Sequence, residues 1–169
     1  MVSNPSPAFS VADSDPLIAA DVTRGVCRML LRHDCVAMAE VPLGDGRRAD
    51  LMALNLRGEI VIVEVKVSRA DLIGDGKWTD YLAHCDRYFW AVPAGFDLAP
   101  LERPDFLPER AGVIVADRYD AAIVREARTV PLTSATRRKC TLAFARRAAR
   151  RVITLTDPDA DGLAWGRDG

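Results

Sequence analysis

Three charged residues lie in stretches that otherwise read as the inside of a protein. In GRRADLMALNLRGEIVIVEVKVS, residues 46–68, Asp50 interrupts one apolar run, and Glu64 and Lys66 fall late in the next. Side chains alternate across a strand, so Glu64 and Lys66 share one face while Val63, Val65 and Val67 share the other. Asp50 sits on the neighbouring run across a short turn. Tight pairing of the two runs brings the three groups to one end of a sheet. Two carboxylates held together repel; a divalent cation relieves them, and the Lys66 ammonium offsets the remainder. Oxygen ligands of this kind suit Mg²⁺ or Mn²⁺. A metal so held binds a phosphate oxygen and a water, stabilises the added charge and lowers the pKa of that water. A neighbouring lysine orients the water or takes its proton, which burial makes possible for an ammonium but not usefully for a guanidinium.

Lysine is scarce here. Of 23 basic residues only Lys66, Lys77 and Lys139 are lysines, so a lysine hints at a position that wants a compact ammonium. An acid-x-Lys triplet is nevertheless expected by chance about 0.4 times in such a composition, and a solvated ion pair at a strand end would read the same. Context separates the two readings: an acid on one strand, a turn, Glu-x-Lys late in a strongly apolar strand, then a helix.

The surrounding pattern supplies those elements. Leu17, Ile18, Val22, Val26, Met29 and Leu30 recur at helical spacing, with Ser14 or Asp15 as cap, Pro16 in the first turn and His33-Asp34 at the end. Strands are expected over 35–43, 47–55 and 59–67, joined by GDG and LRG turns, and the third is apolar enough to be central. A helical turn over 68–73, a helix over 78–87 and a strand over 88–92 follow. A Pro-rich loop over 93–108 and a hairpin of 112–116 with 121–124 come next. Thr133 or Ser134 caps a last helix reaching Val152, with Leu142, Ala145 and Ala149 turned to the core. The order α-β-β-β-α-β, then a hairpin and a helix, predicts an α/β fold with a mixed sheet flanked by helices. The expectation is one domain over 14–155, with flexible ends at 1–13 and 156–169.

Several further residues have two readings. Lys77, Tyr81 and His84 fall at i, i+4 and i+7; Lys77 could meet a phosphate, and Tyr81 or His84 could support a metal-bound water. Alternatively Trp78 and Tyr81 are core, and Asp86 and Arg87 form a surface pair. Arg47 and Arg48 precede Asp50 at a turn where a phosphate backbone would approach, though a solvated turn fits equally. From 128 to 151 every charged residue is basic: Arg128, Arg137, Arg138, Lys139, Arg146, Arg147, Arg150 and Arg151. No acid compensates this run, which suits long-range attraction to a polyanion.

Composition bounds the rest. The net charge of -1 excludes a uniformly basic protein, so nucleic-acid binding would need a local patch. No apolar run approaches the roughly 20 residues of a membrane span, and the start lacks a signal-peptide layout. Cys27, Cys35, Cys85 and Cys140 form no CxxC pair and read as free thiols of a cytoplasmic protein. GDGRR and GDGKW lack the strand–GxxxxGK[ST]–helix context of a nucleotide loop.

The stretches GRRADLMAL, GEIVIVEVKVSRADLIGDGKWTDYLAHCDRYFWAVP, GVIVADRYDAAIVREA and RRKCTLAFARRAARRV resemble the MmcB-like DNA repair family of bacterial proteins. The acid, turn and Glu-x-Lys arrangement resembles the PD-(D/E)xK nuclease superfamily. The resemblance implies a restriction-endonuclease-like fold and a DNA-repair role. It implies Asp50 and Glu64 as metal ligands with the Val65 carbonyl, Lys66 as the catalytic lysine, and Mg²⁺ or Mn²⁺ as cofactor. DNA is the implied partner, with other repair proteins beside it. Cutting both strands would need two sites, so a homodimer is one expected arrangement. The sequence departs from the superfamily pattern in three places. Ala49 stands where the motif has Pro, and the helix after Glu-x-Lys has no Gln. The first-helix acid has only Asp21 as a candidate, or Glu40 on the first strand in its place. Because the superfamily includes members that bind DNA without cutting it, a non-catalytic DNA-binding or partner-recruiting module is the alternative.

Overall fold

Helix α1 (Ala19–Arg32) forms because Val22, Gly25, Val26, Met29 and Leu30 fall on one stripe, and all five are buried. It begins later than expected: Pro16 precedes it, Ile18 is the N-cap, and the Asp21 carboxylate accepts the Ile18 amide at 3.2 Å. A computed structural model describes residues 16–157 and 159–160. The expected caps Ser14 and Asp15 lie outside these residues, as do the expected flexible ends apart from 156, 157, 159 and 160.

Strands β1 (Cys35–Pro42), β2 (Arg48–Asn55) and β3 (Ile60–Val65) form an antiparallel meander. After the short helix α2 (Arg69–Gly74), β4 (Arg87–Pro93) pairs parallel to β3. Then β5 (Ala111–Ala116) runs parallel to β4, and β6 (Ala121–Arg125) runs antiparallel to β5. The result is a mixed six-stranded sheet in chain order. Every residue of β3 is buried, as its apolar run foretold.

Alternation divides the core into two layers. Leu51, Val61, Val63, Val65, Phe89 and Ala91 pack under α1. Met52, Ile62, Tyr88 and Trp90 pack on the other side, beneath helix α3 (Ser134–Thr156) and a 3₁₀ helix, Trp78–His84. Each Val, Leu, Ile, Phe or Met side chain among these, fully buried, contributes about 1.5–3 kcal/mol. Gly25 permits a close approach: a Cβ there would lie 2.1 Å from the Asp117 carbonyl oxygen in the β5–β6 turn.

Three elements depart from the sequence pattern. The α-helix expected over 78–87 is a 3₁₀ helix that stops at His84, with β4 starting at Arg87. Three residues per turn stack Trp78, Tyr81 and His84 on one side, with Trp78 and Tyr81 buried, so Lys77 does not share the face of Tyr81 and His84. Trp78 packs with its ring centroid 5.0 Å from those of both Tyr88 and Trp90, and that burial favours the tighter turn. The segment expected to be a loop over 93–108 contains two 3₁₀ helices, Ala99–Glu102 and Pro104–Phe106, which bury Leu101 and Phe106.

The last helix, capped by Thr133, runs beyond Val152 to Thr156 and turns a different stripe inward. Cys140 and Phe144 are buried with Ala148 beside them, whereas Leu142, Ala145 and Ala149 are exposed. Arg137 and Arg151 extend the inward stripe at either end, and both are tied down. Arg137 clamps Asp86, and Arg151 donates to the carbonyls of Ala39 and Glu40.

Candidate active site

The site is built where the β2–β3 ladder stops. Its last backbone pair is Leu51↔Val63. At the next position Asp50 faces Glu64, and side chains bridge the strands instead. The Val65 amide donates to Asp50 Oδ2 at 2.8 Å, and the Asp50 amide donates to Glu64 Oε1 at 3.1 Å. Each carboxylate is thereby aimed by its neighbour's backbone.

On the other flank the pairs Ala39↔Leu51 and Val41↔Ala49 set Glu40 opposite Asp50. Alternation fails in both strands at this position. Val41 joins Met38, and Ala49 joins Met52, in the layer beneath α3. Glu40 adopts φ 57°, a left-handed conformation uncommon without glycine and of a kind that clusters at functional sites.

Both carboxyl groups resist ionisation. Burial, and then the Asp50 charge, push Glu64 up to about 8. Burial likewise raises Asp50, against the opposing pull of the Val65 amide and Lys66. Among the described residues nothing donates a hydrogen bond to Asp50 Oδ1 or Glu64 Oε2. A carboxylate pair, Glu64 buried and Asp50 half-buried, with one unbonded oxygen apiece is the environment a hard cation stabilises. Among the described residues no cluster of three or more His, Cys, Asp or Glu is arranged for a metal. The protein's share would therefore be two carboxylates, with the Val65 carbonyl beside them. That set fits Mg²⁺, which keeps several waters and takes one or two carboxylates. Glu40 pairs with Arg48 at 2.7 Å rather than joining this pair.

Lys66 is the first residue beyond β3. Its amide continues the parallel ladder to the Ala91 carbonyl at 2.9 Å, and its side chain is buried. Its Nζ lies 2.9 Å from Asp75 Oδ2, 3.9 Å from Asp71 Oδ1 and 5.9 Å from the centre of the Trp90 ring. Burial pulls the ammonium pKa down, but the Asp75 hydrogen bond and the surrounding acids outweigh it and leave the group above its ordinary value. Sequence reasoning missed Asp75, because GDG was read only as a turn. The available signal was the i, i+4 spacing of Asp71 and Asp75.

A concavity of about 670 Å³ gathers Asp50, Glu64, Lys66, Asp75, Glu40 and Arg24. Tyr81 also lines it and donates to the Arg48 carbonyl at 3.1 Å. Other expected residues lie elsewhere. His84 meets Asp45 at 3.1 Å, and Asp21 caps α1 and approaches Arg118. Arg47 pairs with Asp80, and Lys77 is an exposed cap of the 3₁₀ helix. Arg137 is not free for phosphate: it grips Asp86, which is no surface partner of Arg87 but fully buried. Arg87 pairs with Glu126 instead. Arg138, Lys139, Arg146, Arg147 and Arg150 stand on α3 outside the concavity; Lys139 lines a separate, more apolar hollow of about 520 Å³. Arg24 carried no signal in the sequence beyond lying on the polar side of an amphipathic helix.

Fold and site together define a mixed α/β protein whose central sheet ends in a bridged carboxylate pair beside a buried lysine. Residues 5–159 match the family model of MmcB-like DNA repair proteins, and the chain belongs to that family. A solved structure, the SPO1766 protein of unknown function from Silicibacter pomeroyi, is 41% identical, with 90% of this chain and 99% of that one covered at a TM-score of 0.77. Pyrococcus furiosus SfsA in complex with Ca²⁺ is 14% identical over 60% of this chain and 59% of its own, with a TM-score of 0.27, too low to align the two folds. No curated protein matches the chain.

Proposed function

We propose that this protein is a metal-dependent deoxyribonuclease that hydrolyses phosphodiester bonds in DNA repair. The observation that carries the proposal is the reciprocal bridge between Asp50 and Glu64, which leaves Oδ1 and Oε2 unbonded beside Lys66. The repair context and DNA as substrate come from the family. Bound Mg²⁺ or Mn²⁺ would supply Lewis-acid polarisation of the phosphate and a more acidic water.

The chain's own residues do the rest. Asp50 and Glu64 offer oxygens already oriented by backbone amides, so little reorganisation is needed on binding. Lys66, fixed by Asp75, is a charged donor. It orients the attacking water and stabilises charge on the phosphate rather than removing a proton. A second reading, a DNA-binding module without catalysis, draws on the same ion pair, because Asp75 occupies the ammonium at 2.9 Å.

The test incubates the protein with Mg²⁺ or Mn²⁺ and branched, nicked, single-stranded or duplex DNA, alongside Lys66→Ala and Asp50→Asn. Cleavage by the wild type, reduced about a hundredfold or more in both variants, is expected. Undiminished cleavage by Lys66→Ala would remove its catalytic role. Binding without cleavage of any substrate would leave the module reading.

A further inference from the structure

The cleft around Asp50 and Glu64 poses an electrostatic problem for a polyanion. Its lining includes five acids, Glu40, Asp50, Glu64, Asp71 and Asp75, against three cations, Arg24, Arg48 and Lys66. A single divalent ion would offset part of this excess and leave the flanking phosphates of a nucleic acid to be met by protein cations. Two of the three are already committed: Arg48 to Glu40 at 2.7 Å, and Lys66 to Asp75 at 2.9 Å.

Arg24 differs. It projects from α1 into the same lining and is exposed, with no ion pair or hydrogen bond to any described residue. Its nearest acid in sequence on the helix, Asp21, is spent on the Ile18 amide and on Arg118. Arg28, one turn further along, donates to the Tyr119 carbonyl and does not line the cleft. Around Arg24 the wall is made of Ala19, Ala20 and Thr23, small side chains that leave room for a sugar–phosphate backbone.

We infer that Arg24 is the phosphate-docking residue of this cleft, binding the backbone of a DNA strand whose neighbouring phosphodiester lies at Asp50 and Glu64. The inference rests on the proposal that the cleft meets DNA, not on cleavage. A guanidinium suits the task because its fork of donors matches two phosphate oxygens, and its charge displaces a condensed counterion.

The experiment measures binding of a short fluorescein-labelled duplex, and of its single strand, with Ca²⁺ in place of Mg²⁺ across a salt series. The wild type is compared with Arg24→Ala, Arg24→Lys and Arg57→Ala, the last an exposed arginine in the β2–β3 turn at the far end of β2. Arg24→Ala should weaken binding about five- to tenfold and lower the slope of log K against log salt by about one. Arg24→Lys should keep the slope, and Arg57→Ala should keep both. Wild-type affinity in Arg24→Ala, an equal loss in Arg57→Ala, a slope lost equally in Arg24→Lys, or no DNA binding by the wild type would each overturn the inference. Binding through Arg24 with no cleavage in Mg²⁺ would instead sink the nuclease reading and leave this one standing.

Discussion

Asp75 holds Lys66. The Nζ–Oδ2 distance is 2.9 Å, and both side chains are largely shielded from water. A lysine whose ammonium is fixed in this way is positioned rather than free to sample rotamers, and a misplacement of about 1 Å can cost a hundredfold in rate. Asp75→Asn keeps the shape but weakens the pull on the ammonium. It should lower kcat for DNA cleavage about tenfold or more while leaving KM near its wild-type value, and Asp75→Glu should recover part of the loss. Steady-state kinetics on one labelled substrate decides, and an unchanged kcat in Asp75→Asn would show that Asp75 does not position the lysine.

Glu64 lines the cleft at the expense of stability. It is buried beside a second carboxylate, and burial disfavours its charge. Glu64→Gln removes that charge at nearly constant volume, so the metal-free variant should be more stable than the wild type by about 1–2 kcal/mol at pH 8. Adding Mg²⁺ should raise the Tm of the wild type and not that of Glu64→Gln. Thermal melts with and without metal measure both effects. A destabilised variant would show that the Glu64 charge is not a burden on the metal-free fold.

Asp86 and Arg137 are the structural counterpart. Asp86 is fully buried and accepts four hydrogen bonds: from the amides of Ile60 at 2.7 Å and Leu132 at 2.8 Å, and from Arg137 at 2.7 and 2.6 Å. Burial alone would raise its pKa, but Arg137 and the two amides outweigh burial and hold it below the usual value. Arg137→Ala should cost about 3 kcal/mol, the low end for a broken buried pair because Arg137 keeps some contact with water. A depressed folded-state pKa adds stability above the unfolded value of about 4, and that stability is lost as pH falls through the lower folded value. The gap between wild type and variant should therefore be full at pH 7 and shrink below about pH 4. Urea melts at several pH values test this, and a gap that widens in acid would contradict it.

The site was legible where strand alternation governs it. Glu64 and the valines flanking it follow the period of a strand that is buried on both faces, and the acid–turn–acid spacing put Asp50 across from it. What the sequence could not convey was set by tertiary packing. Asp75, at the C-terminal end of α2, meets Lys66 only through the chain path between β3 and the 3₁₀ helix. Glu40 breaks the alternation of β1 through a left-handed backbone that no glycine announces. On α3 the apolar residues between the arginines form two competing stripes, and Cys140 and Phe144 are buried in place of Leu142 and Ala145. Arg137 reads as one more member of a basic run, yet the buried Asp86 claims it.

The most direct test of the central claim is a Mn²⁺ titration followed by electron paramagnetic resonance. Wild-type protein should bind a single Mn²⁺, Mg²⁺ should displace it, and Asp50→Asn and Glu64→Gln should each weaken binding at least about tenfold. A wild type that takes up no Mn²⁺, or variants that bind it as tightly, would show that Asp50 and Glu64 are not the ligands of a metal centre.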